Sequence, residues 1–487
     1  MSARYITTTL PYVNADPHLG FALEIVKADI VARWYELNGD EVFFNTGTDE
    51  HGQKILQKAE SEGRSPQEYV DEYAAKFKTL KTELNLSPDL HFIRTTDAHH
   101  VSAAQAFWRR CTANGDIYKK AYQVKYCIGC ELEKTDSELI DGRCPLHPTS
   151  ELERIAEENY FFRFSKYQQP LLELYAAHPD FVLPDFRQNE IRLFIERGLQ
   201  DFSISRLKEK MSWGIEVPDD PMQVMYVWFD ALVNYISTLG WPEEEADFVK
   251  FWGTREQPNA VQIAGKDNLR QQSAMWQAML MSAGLPRSKQ VVVQGFVTSG
   301  GQKMSKSLGN VVNPLDLTRV YGADVLRYYL ARHMSSFEDS DFTEVHFREA
   351  YTANLTNGLG NLVARVMKLA ETHLPEPACG EPVESVVPVE SAYPQEYREA
   401  INAFEFNRAM DLIWAKVGAL DERITSEKPF AVVKEDEEKG RAMIAALVLE
   451  LYEVGMLLAP FMPATSEEIK KAVLENKKPE NLFPRLP

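Results

Sequence analysis

Four potential metal ligands lie close together in the first third of the chain. Cys127 and Cys130 form a CxxC pair, and Cys144 and His147 form a CxxH pair after a spacer of 13 residues. Three thiolates and one imidazole suit tetrahedral Zn²⁺, and four protein ligands leave no open coordination position for catalysis. The spacing therefore predicts one structural zinc ion per chain, with a set of unliganded buried thiols as the alternative.

A segment near the N-terminus has residues suited to phosphate binding. Pro17, His18 and Gly20 lie where a predicted strand passes into a predicted helix. Backbone N–H groups at a helix start attract anions, and glycine lets a phosphate-bearing ligand approach closely. His18 is the candidate donor to a phosphate oxygen, and a loop histidine that caps its own turn is the alternative.

A second segment carries two lysines and two hydroxyls between glycines. Residues Lys303 to Ser307 read Lys-Met-Ser-Lys-Ser, with Gly300, Gly301 and Gly309 beside them. Such a loop could close over a triphosphate and stabilise the charge of a departing pyrophosphate. The alternative for an arbitrary basic loop is a solvated turn.

The pattern of elements indicates an α/β protein with a helical C-terminal region. Residues 5–9 predict a strand, 20–38 a helix and 41–45 a second strand, which together form a right-handed βαβ unit of a parallel sheet. A second α/β stretch begins near Tyr226 and includes strands near 261–265 and 290–295. The sheet is thus predicted to be split by an insertion, and after about residue 350 only helical periodicity remains.

Composition and charge argue against a membrane-spanning protein, a secreted protein and a uniformly basic nucleic-acid-binding protein. The chain has 487 residues, 44% hydrophobic and 26% charged, with 53 basic and 72 acidic side chains and a net charge of −19. Diffuse attraction to phosphates is therefore weak, so a nucleic-acid partner would need a local patch and specific contacts. No apolar run reaches about 18 residues, and the N-terminus lacks the features of a signal peptide. A cytoplasmic protein without a membrane segment is expected.

Taken together, these motifs identify a resemblance that covers essentially the whole chain. It resembles the class I aminoacyl-tRNA synthetases, and among them the methionyl-tRNA synthetase family. Residues 17–21 look like the HIGH motif and residues 303–307 read as KMSKS. Further matching segments are residues 9–12, 48–52, 226–231 and 265–267.

The resemblance implies a Rossmann-like catalytic domain, split by a zinc-knuckle insertion and followed by an α-helical anticodon-binding bundle. The implied boundaries are 1–115 and 226–300 for the catalytic halves, 116–225 for the insertion, 301–349 for the KMSKS loop and stem-contact region, and 350–487 for the bundle. The chain ends soon after the bundle, which favours a monomer.

The resemblance also implies roles for particular residues. The catalytic groups are His18, Lys303 and Lys306. ATP is bound, with Mg²⁺, by Pro17, His18, Gly20, Phe21, Gly265, Asp267, Lys303, Ser305 and Lys306. Asp49 fixes the α-ammonium of methionine, and the remaining pocket residues are Leu10, Tyr12, Trp228, Tyr235, Asn268 and Gln272.

Anticodon recognition is implied for one stripe of the bundle. Asn357, Asn361 and Arg365 are spaced i, i+4 and i+8, so they share one face of a helix. Spacing alone favours a solvated face, whereas the resemblance assigns these positions to reading the CAU anticodon. Phe430 stands where the family has a stacking tryptophan, and a phenyl ring can still stack on a base.

Two departures keep other functions open. Phe21 replaces the second histidine of the HIGH motif. Gln271 and Gln272 stand where the family usually has Phe-His, of which the histidine lies beside the methionine sulfur. The leading interpretation is a methionine–tRNA ligase that acts on ATP, L-methionine and tRNA(Met). The alternatives are a related ligase that activates a more polar amino acid for a non-tRNA acceptor, and a catalytically inactive tRNA-binding protein.

Overall fold

The computed structural model describes residues 2–130, 132–134, 138–243, 245–304, 309–379 and 392–486; for residues 122–124, 132, 133, 154–156, 245 and 303 it describes the backbone alone. The strands, in chain order, are β1 (Ala3–Thr8), β2 (Glu41–Thr48), β3 (His91–Arg94), β4 (Ile117–Cys127), β5 (Leu132–Lys134), β6 (Glu153–Phe162), β7 (Val182–Leu183), β8 (Phe202–Ser203), β9 (Ser205–Leu207), β10 (Glu216–Val217), β11 (Asp220–Met225), β12 (Ala260–Gly265), β13 (Gln290–Gln294), β14 (Val297–Ser299), β15 (Gln302–Lys303) and β16 (Ser340–Phe342).

The helices begin with the one that follows β1 and end near the C-terminus. They are α1 (Leu19–Leu37), α2 (Gln53–Ser61), α3 (Pro66–Glu83), α4 (Ala98–Ala113), α5 (Gln168–Ala177), α6 (Asp185–Glu196), α7 (Val227–Ala231), α8 (Asn234–Ser237), α9 (Glu245–Asp247), α10 (Trp276–Ala283), α11 (Pro314–Tyr321), α12 (Ala323–Arg332), α13 (Glu344–Ala350), α14 (Asn361–His373), α15 (Gln395–Asn402), α16 (Phe406–Glu427), α17 (Pro429–Glu435), α18 (Glu437–Leu458) and α19 (Pro463–Leu474). Wider π-helical turns occupy Phe248–Trp252, Gln271–Met275 and Tyr351–Gly360. None of the described helices is long and apolar enough to cross a membrane.

The centre of the molecule is a six-stranded parallel sheet in the order β3-β2-β1-β12-β13-β7. Strands β1 and β12 are neighbours although more than 200 residues separate them, so the predicted split sheet is confirmed. Successive residues of the strands alternate between two apolar cores: Ile6 belongs to the core beneath α1, and Tyr5 to the core beneath α4 and α10. Both faces of the sheet are therefore covered, as parallel sheets require.

The predicted insertion contains more of the central sheet than its boundaries suggest. An antiparallel sheet of order β5-β4-β6-β8 does form within residues 116–225, together with the small sheet β10-β11-β9. Strand β7, however, pairs in parallel with β13 and forms an edge of the central sheet. Two paired residues are too few for a hydrophobic pattern to distinguish them from a loop.

The C-terminal region is helical, as predicted. After β16 the described residues contain helices and no strand. The core beneath α1 continues without interruption into this region, from Ile6 through Leu330 to Leu355 and Val448. The catalytic sheet and the helical region thus share one apolar core.

Candidate active site

A cleft of about 450 Å³ opens at the carboxyl ends of β1, β2, β12 and β13. Such ends are where ligands bind in open α/β sheets, since loops of several strands meet there. Ten of the predicted ligand-binding residues line it: Leu10, Tyr12, His18, Gly20, Phe21, Asp49, Trp228, Gly265, Asp267 and Asn268. Residues from both halves of the split sheet therefore meet in one site.

Other predicted residues lie elsewhere or outside the described part of the chain. Pro17 is buried and absent from the cleft wall, and so are Tyr235 and Gln272. Ser305 and Lys306 lie outside the described residues. Lys303 is described by its backbone, which pairs with Thr298 in the β14–β15 hairpin.

His18 caps α1 with its own ring. Its Nδ1 accepts the backbone N–H of Gly20 at 3.1 Å. The ring proton of a neutral His18 therefore lies on Nε2. The Leu19 N–H donates to the Val312 carbonyl at 3.0 Å, so this N–H at the start of α1 already has a protein partner. An anion at this point would meet the imidazole and the helix dipole.

Two acidic groups on opposite sides of the cleft converge near Gly265. Glu24 of α1 accepts the Thr9 N–H at 2.8 Å and also the Thr9 hydroxyl. A Cβ built on Gly265 would lie 2.7 Å from Asp267 Oδ1 and 3.8 Å from Glu24 Oε2. Burial raises the pKa of Glu24 from its ordinary value to about 8. Sequence analysis missed Thr9 and Glu24; the one available signal was a carboxylate within the apolar stretch of α1.

Asp49 directly follows β2 and is held by the backbone of the loop after β1. Its N–H donates to the Pro11 carbonyl at 3.0 Å, and its carbonyl accepts the Val13 N–H at 3.2 Å. The residue is 7% exposed, so its carboxylate is largely withdrawn from bulk solvent. This geometry suits a partner for a buried ammonium group.

A buried cluster of two histidines and one aspartate includes His51, two residues after Asp49. His51 Nδ1 is 3.2 Å from one carboxylate oxygen of Asp230, and His100 Nε2 is 3.9 Å from the other. Burial alone would raise the pKa of the Asp230 carboxyl, but the two imidazoles lower it below its ordinary value. The cluster joins the loop after β2 to α4 and α7.

Gln272 is part of a buried hydrogen-bonded chain beneath the cleft. Its amide Nε2 donates to the Tyr235 hydroxyl at 2.7 Å, and its Oε1 accepts from Gln262 Nε2 at 3.0 Å. Gln262 also accepts the hydroxyl of Ser288, which receives a bond from Gln277 at 3.0 Å. The Gln272 amide is therefore committed to protein partners and does not line the cleft.

The hairpin that carries Lys303 is tied to the segment before β16. Lys266 Nζ lies 2.7 Å from Asp339 Oδ2, and the other Asp339 oxygen accepts the Phe296 N–H at 2.9 Å. Gly295 packs directly on this segment: a Cβ there would lie 2.2 Å from the Glu338 carbonyl carbon. The backbone contact positions the hairpin at the open side of the cleft, which Met304 also lines.

The four predicted metal ligands meet in space. Their ligand atoms all lie within 4.8 Å of one another, and Cys130 Sγ is 3.4 Å from Cys144 Sγ. His147 presents Nδ1, at 3.3 Å from Cys130 Sγ and 3.7 Å from Cys127 Sγ. A tetrahedron with Zn–S bonds of about 2.3 Å has edges of about 3.8 Å, so the donor set and its size fit zinc.

This cysteine cluster is attached to the cleft. Cys130 lines the cleft, and Lys54 of α2 donates to the Gly129 carbonyl at 2.7 Å. A Cβ on Gly129 would lie 2.4 Å from the His147 ring, so a residue with a side chain there would displace the ring. The cluster therefore fixes the position of the insertion over one side of the cleft.

The candidate anticodon residues lie on the outside of the helical region. Asn357 belongs to the π-helical turn Tyr351–Gly360, whereas Asn361 and Arg365 belong to α14; the two asparagines are exposed. Arg365 forms an ion pair with Asp421 of α16. Phe430 is 44% exposed at the start of α17.

Comparisons with known proteins agree with this arrangement. A family model described as "tRNA synthetases class I (M)" matches residues 4–155 and 137–367. The methionine–tRNA ligase of Thermotoga maritima is 40% identical, covering 98% of this chain and 76% of the relative. That of Thermosynechococcus vestitus is 44% identical, covering 95% of this chain and 88% of the relative.

Solved structures match over the full length. The Mycobacterium tuberculosis methionyl-tRNA synthetase in complex with methionyl-adenylate superposes with a TM-score of 0.89 at 32% identity, covering 100% of both chains. The apo form of that protein gives a TM-score of 0.82 at 29% identity, covering 100% of this chain and 99% of that one. Because a family model matches most of the chain and relatives are 40–44% identical over nearly its full length, the chain belongs to the methionyl-tRNA synthetase family of class I.

Proposed function

We propose that this chain is a methionine–tRNA ligase. It activates L-methionine with ATP and transfers the methionyl group to tRNA(Met). The observation that carries the proposal is the single cleft at the carboxyl ends of the sheet, where Asp49, His18 and Asp267 converge from three separate loops. The near-full-length similarity to methionine–tRNA ligases supports it.

The first step forms the adenylate. The methionine carboxylate attacks the α-phosphorus of ATP, the bond to the β-phosphate oxygen breaks, and pyrophosphate leaves. Asp49 holds the α-ammonium, while Nε2–H of His18 and the lysines of residues 303–306 balance the charge that develops on the phosphates. These groups act mainly by positioning and electrostatic stabilisation.

Glu24 and Asp267 form the adenosine side of the site in this proposal. With its raised pKa, Glu24 is protonated at neutral pH and can donate as well as accept a hydrogen bond. Such a pair suits the two hydroxyls of a ribose. Mg²⁺ arrives with ATP, whose phosphates supply most of its ligands.

The second step transfers the acyl group. The 2′-hydroxyl of the terminal adenosine attacks the methionyl carbonyl carbon, the bond to AMP breaks, AMP leaves with the electron pair, and the hydroxyl proton is released. Asn357, Asn361, Arg365 and Phe430 read the CAU anticodon through amide, guanidinium and stacking contacts. Cys127, Cys130, Cys144 and His147 hold one zinc ion, which fixes the insertion and takes no part in the chemistry. A cytoplasmic monomer stays a prediction from the sequence.

Amino-acid-dependent ATP–pyrophosphate exchange over all twenty amino acids, followed by charging of an unfractionated tRNA pool, tests this function. We expect exchange with methionine alone and charging of a tRNA with a CAU anticodon. His18→Ala should lower the exchange rate by about 10²–10³, whereas His373→Ala, at the end of α14, should leave it unchanged. Exchange with a polar amino acid but no tRNA charging would contradict the proposal. The absence of exchange with every amino acid would contradict it as well.

A further inference from the structure

A second cavity, of about 600 Å³, lies beside the cleft, and we name it the side cavity. Residues of the insertion and of the second catalytic half both line it. Trp228 lines the side cavity and the cleft alike, so its indole borders both spaces. A ligand in the side cavity would therefore lie next to an aminoacyl group held in the cleft.

The wall of the side cavity combines aromatic faces with guanidinium groups. The Arg270 guanidinium lies 4.1 Å from the ring centroid of Phe194, and that of Arg206 lies 4.7 Å from the centroid of Tyr226. Arg206 is fixed in place, since it donates to the Ser203 hydroxyl at 2.7 Å. A volume of this size is within the range of small-ligand sites.

The carboxylates of the wall are already engaged. Asp201 accepts the Ser165 hydroxyl at 2.6 Å and the Tyr118 hydroxyl at 2.8 Å. Glu138 lies 3.7 Å from Arg270 and is its counter-ion. The wall therefore carries three arginines, of which Arg197 is exposed, and two carboxylates, a local excess of one positive charge on a chain with a net charge of −19.

Aromatic faces and arginines together are what unstacked nucleotides bind. Bases stack on flat rings and guanidinium planes irrespective of sequence, and arginine pairs with the connecting phosphates. An acidic protein needs such a local site because its overall field repels polynucleotides. Only a single-stranded segment can offer a base to a cavity of this kind.

We propose that the side cavity receives an unstacked nucleotide of the single-stranded 3′ end of the tRNA during acyl transfer. Phe194 supplies the stacking face, and Arg270 with Arg197 meets the adjoining phosphate. The strand then passes Trp228, and its terminal ribose enters the cleft. This inference rests on the proposed function.

Two substitutions at one position separate stacking from packing. Phe194→Leu keeps an apolar side chain and removes the flat ring, whereas Phe194→Tyr keeps the ring. A stacked base contributes about 5- to 150-fold to binding, so Phe194→Leu should lower kcat/KM for tRNA charging by a factor in that range. Phe194→Tyr should charge at the wild-type rate.

The controls use steps and ligands that avoid the side cavity. Methionine-dependent pyrophosphate exchange needs no tRNA and should be unchanged in both variants. Leu193→Ala, at the neighbouring position of α6 with 49% exposure and outside the cavity wall, should change neither reaction. A tRNA trimmed of its single-stranded 3′ end should bind wild type and Phe194→Leu equally.

The results of these experiments distinguish failure of the inference from failure of the proposed function. Unchanged charging by Phe194→Leu would overturn the inference, as would equal losses in the leucine and tyrosine variants. A parallel loss of exchange would also overturn it, because the substitution would then act through the cleft. Absence of exchange in the wild-type protein would instead mark failure of the proposed function.

Discussion

Phe21 shows how a departure from a motif is accommodated by a neighbouring residue. Its ring packs edge-on against Phe77 of α3, with centroids 5.4 Å apart at 79°, and both rings line the cleft. The sequence predicts the loss of a hydrogen-bond donor at position 21. The apolar partner could not be predicted, because residues 21 and 77 are brought together only by the packing of α1 on α3.

Substitution of Gln272 tests whether this residue contacts the amino-acid substrate or only stabilises the fold. Gln272→Leu would leave the Tyr235 hydroxyl and the Gln262 amide without their buried partner, which costs about 1–3 kcal/mol of stability. We expect a lower midpoint of thermal unfolding and an unchanged preference for methionine in pyrophosphate exchange. A shift in preference towards or away from polar amino acids would mean that Gln272 contacts the substrate.

Glu24 should make stability depend on pH in a defined direction. Its pKa in the folded protein is about 8, against an ordinary value of 4.5, so between these values the folded state retains a proton that the unfolded chain has released. Its contribution to stability is therefore full below pH 4.5 and is lost as the pH rises to 8, by at most about 1.4 kcal/mol per pH unit.

Glu24→Gln removes this ionisation and keeps an acceptor for Thr9. The difference in unfolding temperature between variant and wild type should increase in favour of the variant from pH 5.5 to pH 8.5. Thermal unfolding measured at several pH values checks this. A constant difference across the range would show that Glu24 is already ionised in the folded protein.

At the scale of elements, long periodic segments were predictable and short ones were not. The βαβ unit of β1, α1 and β2 agrees with the sequence prediction to within a few residues, because strand alternation, helical periodicity and Gly39 all mark its limits. Strand β7 and the π-helical turn Tyr351–Gly360 were missed, since tertiary pairing and packing define them. The cysteine spacing predicted the metal cluster because each short turn, CxxC or CxxH, places two ligands side by side. Two such turns together supply the four ligands of a tetrahedral zinc site.

Zinc removal should affect the insertion and, through it, the cleft. Cys130→Ser removes one ligand, so the zinc content of purified protein should fall from about one per chain towards zero. Because the Gly129 carbonyl anchors Lys54, methionine-dependent exchange should fall as well. Cys379→Ser, outside the cluster, is the matched control and should retain the metal, as elemental analysis would show. Full zinc retention by Cys130→Ser would contradict the assignment.

At the scale of the whole molecule, one buried ion pair connects three regions. Arg327 of α12 lies 2.7 Å from Asp29 of α1, and both side chains are fully buried. The same guanidinium donates to the carbonyls of Pro460 at 2.9 Å and Phe461 at 2.8 Å, in the turn before α19. The catalytic sheet, α12 and the helical region therefore share a single polar junction within their common core.

Arg327→Met should weaken the whole assembly. Asp29 keeps its ion pair with Arg33 at 2.7 Å, so the cost stays below about 3–5 kcal/mol, the cost of leaving a buried charge uncompensated. The buried carbonyls of Pro460 and Phe461, however, lose their donor. We expect a large fall in the midpoint of the first unfolding transition. Arg319→Met, which removes an exposed pair with Asp316 on α11, should change the midpoint little. Equal effects of the two substitutions would contradict the role of the junction.

The contact between Gly295 and Glu338 limits which residues can replace Gly295. A methyl group at position 295 meets main-chain atoms, which cannot rotate away as a side chain would. In a saturation library of the cleft wall, we therefore expect positions such as 21 to accept several residues and position 295 to retain glycine alone. During evolution, many side chains that touch substrate can therefore change before Gly295 can, because no room for even a methyl group exists at this position.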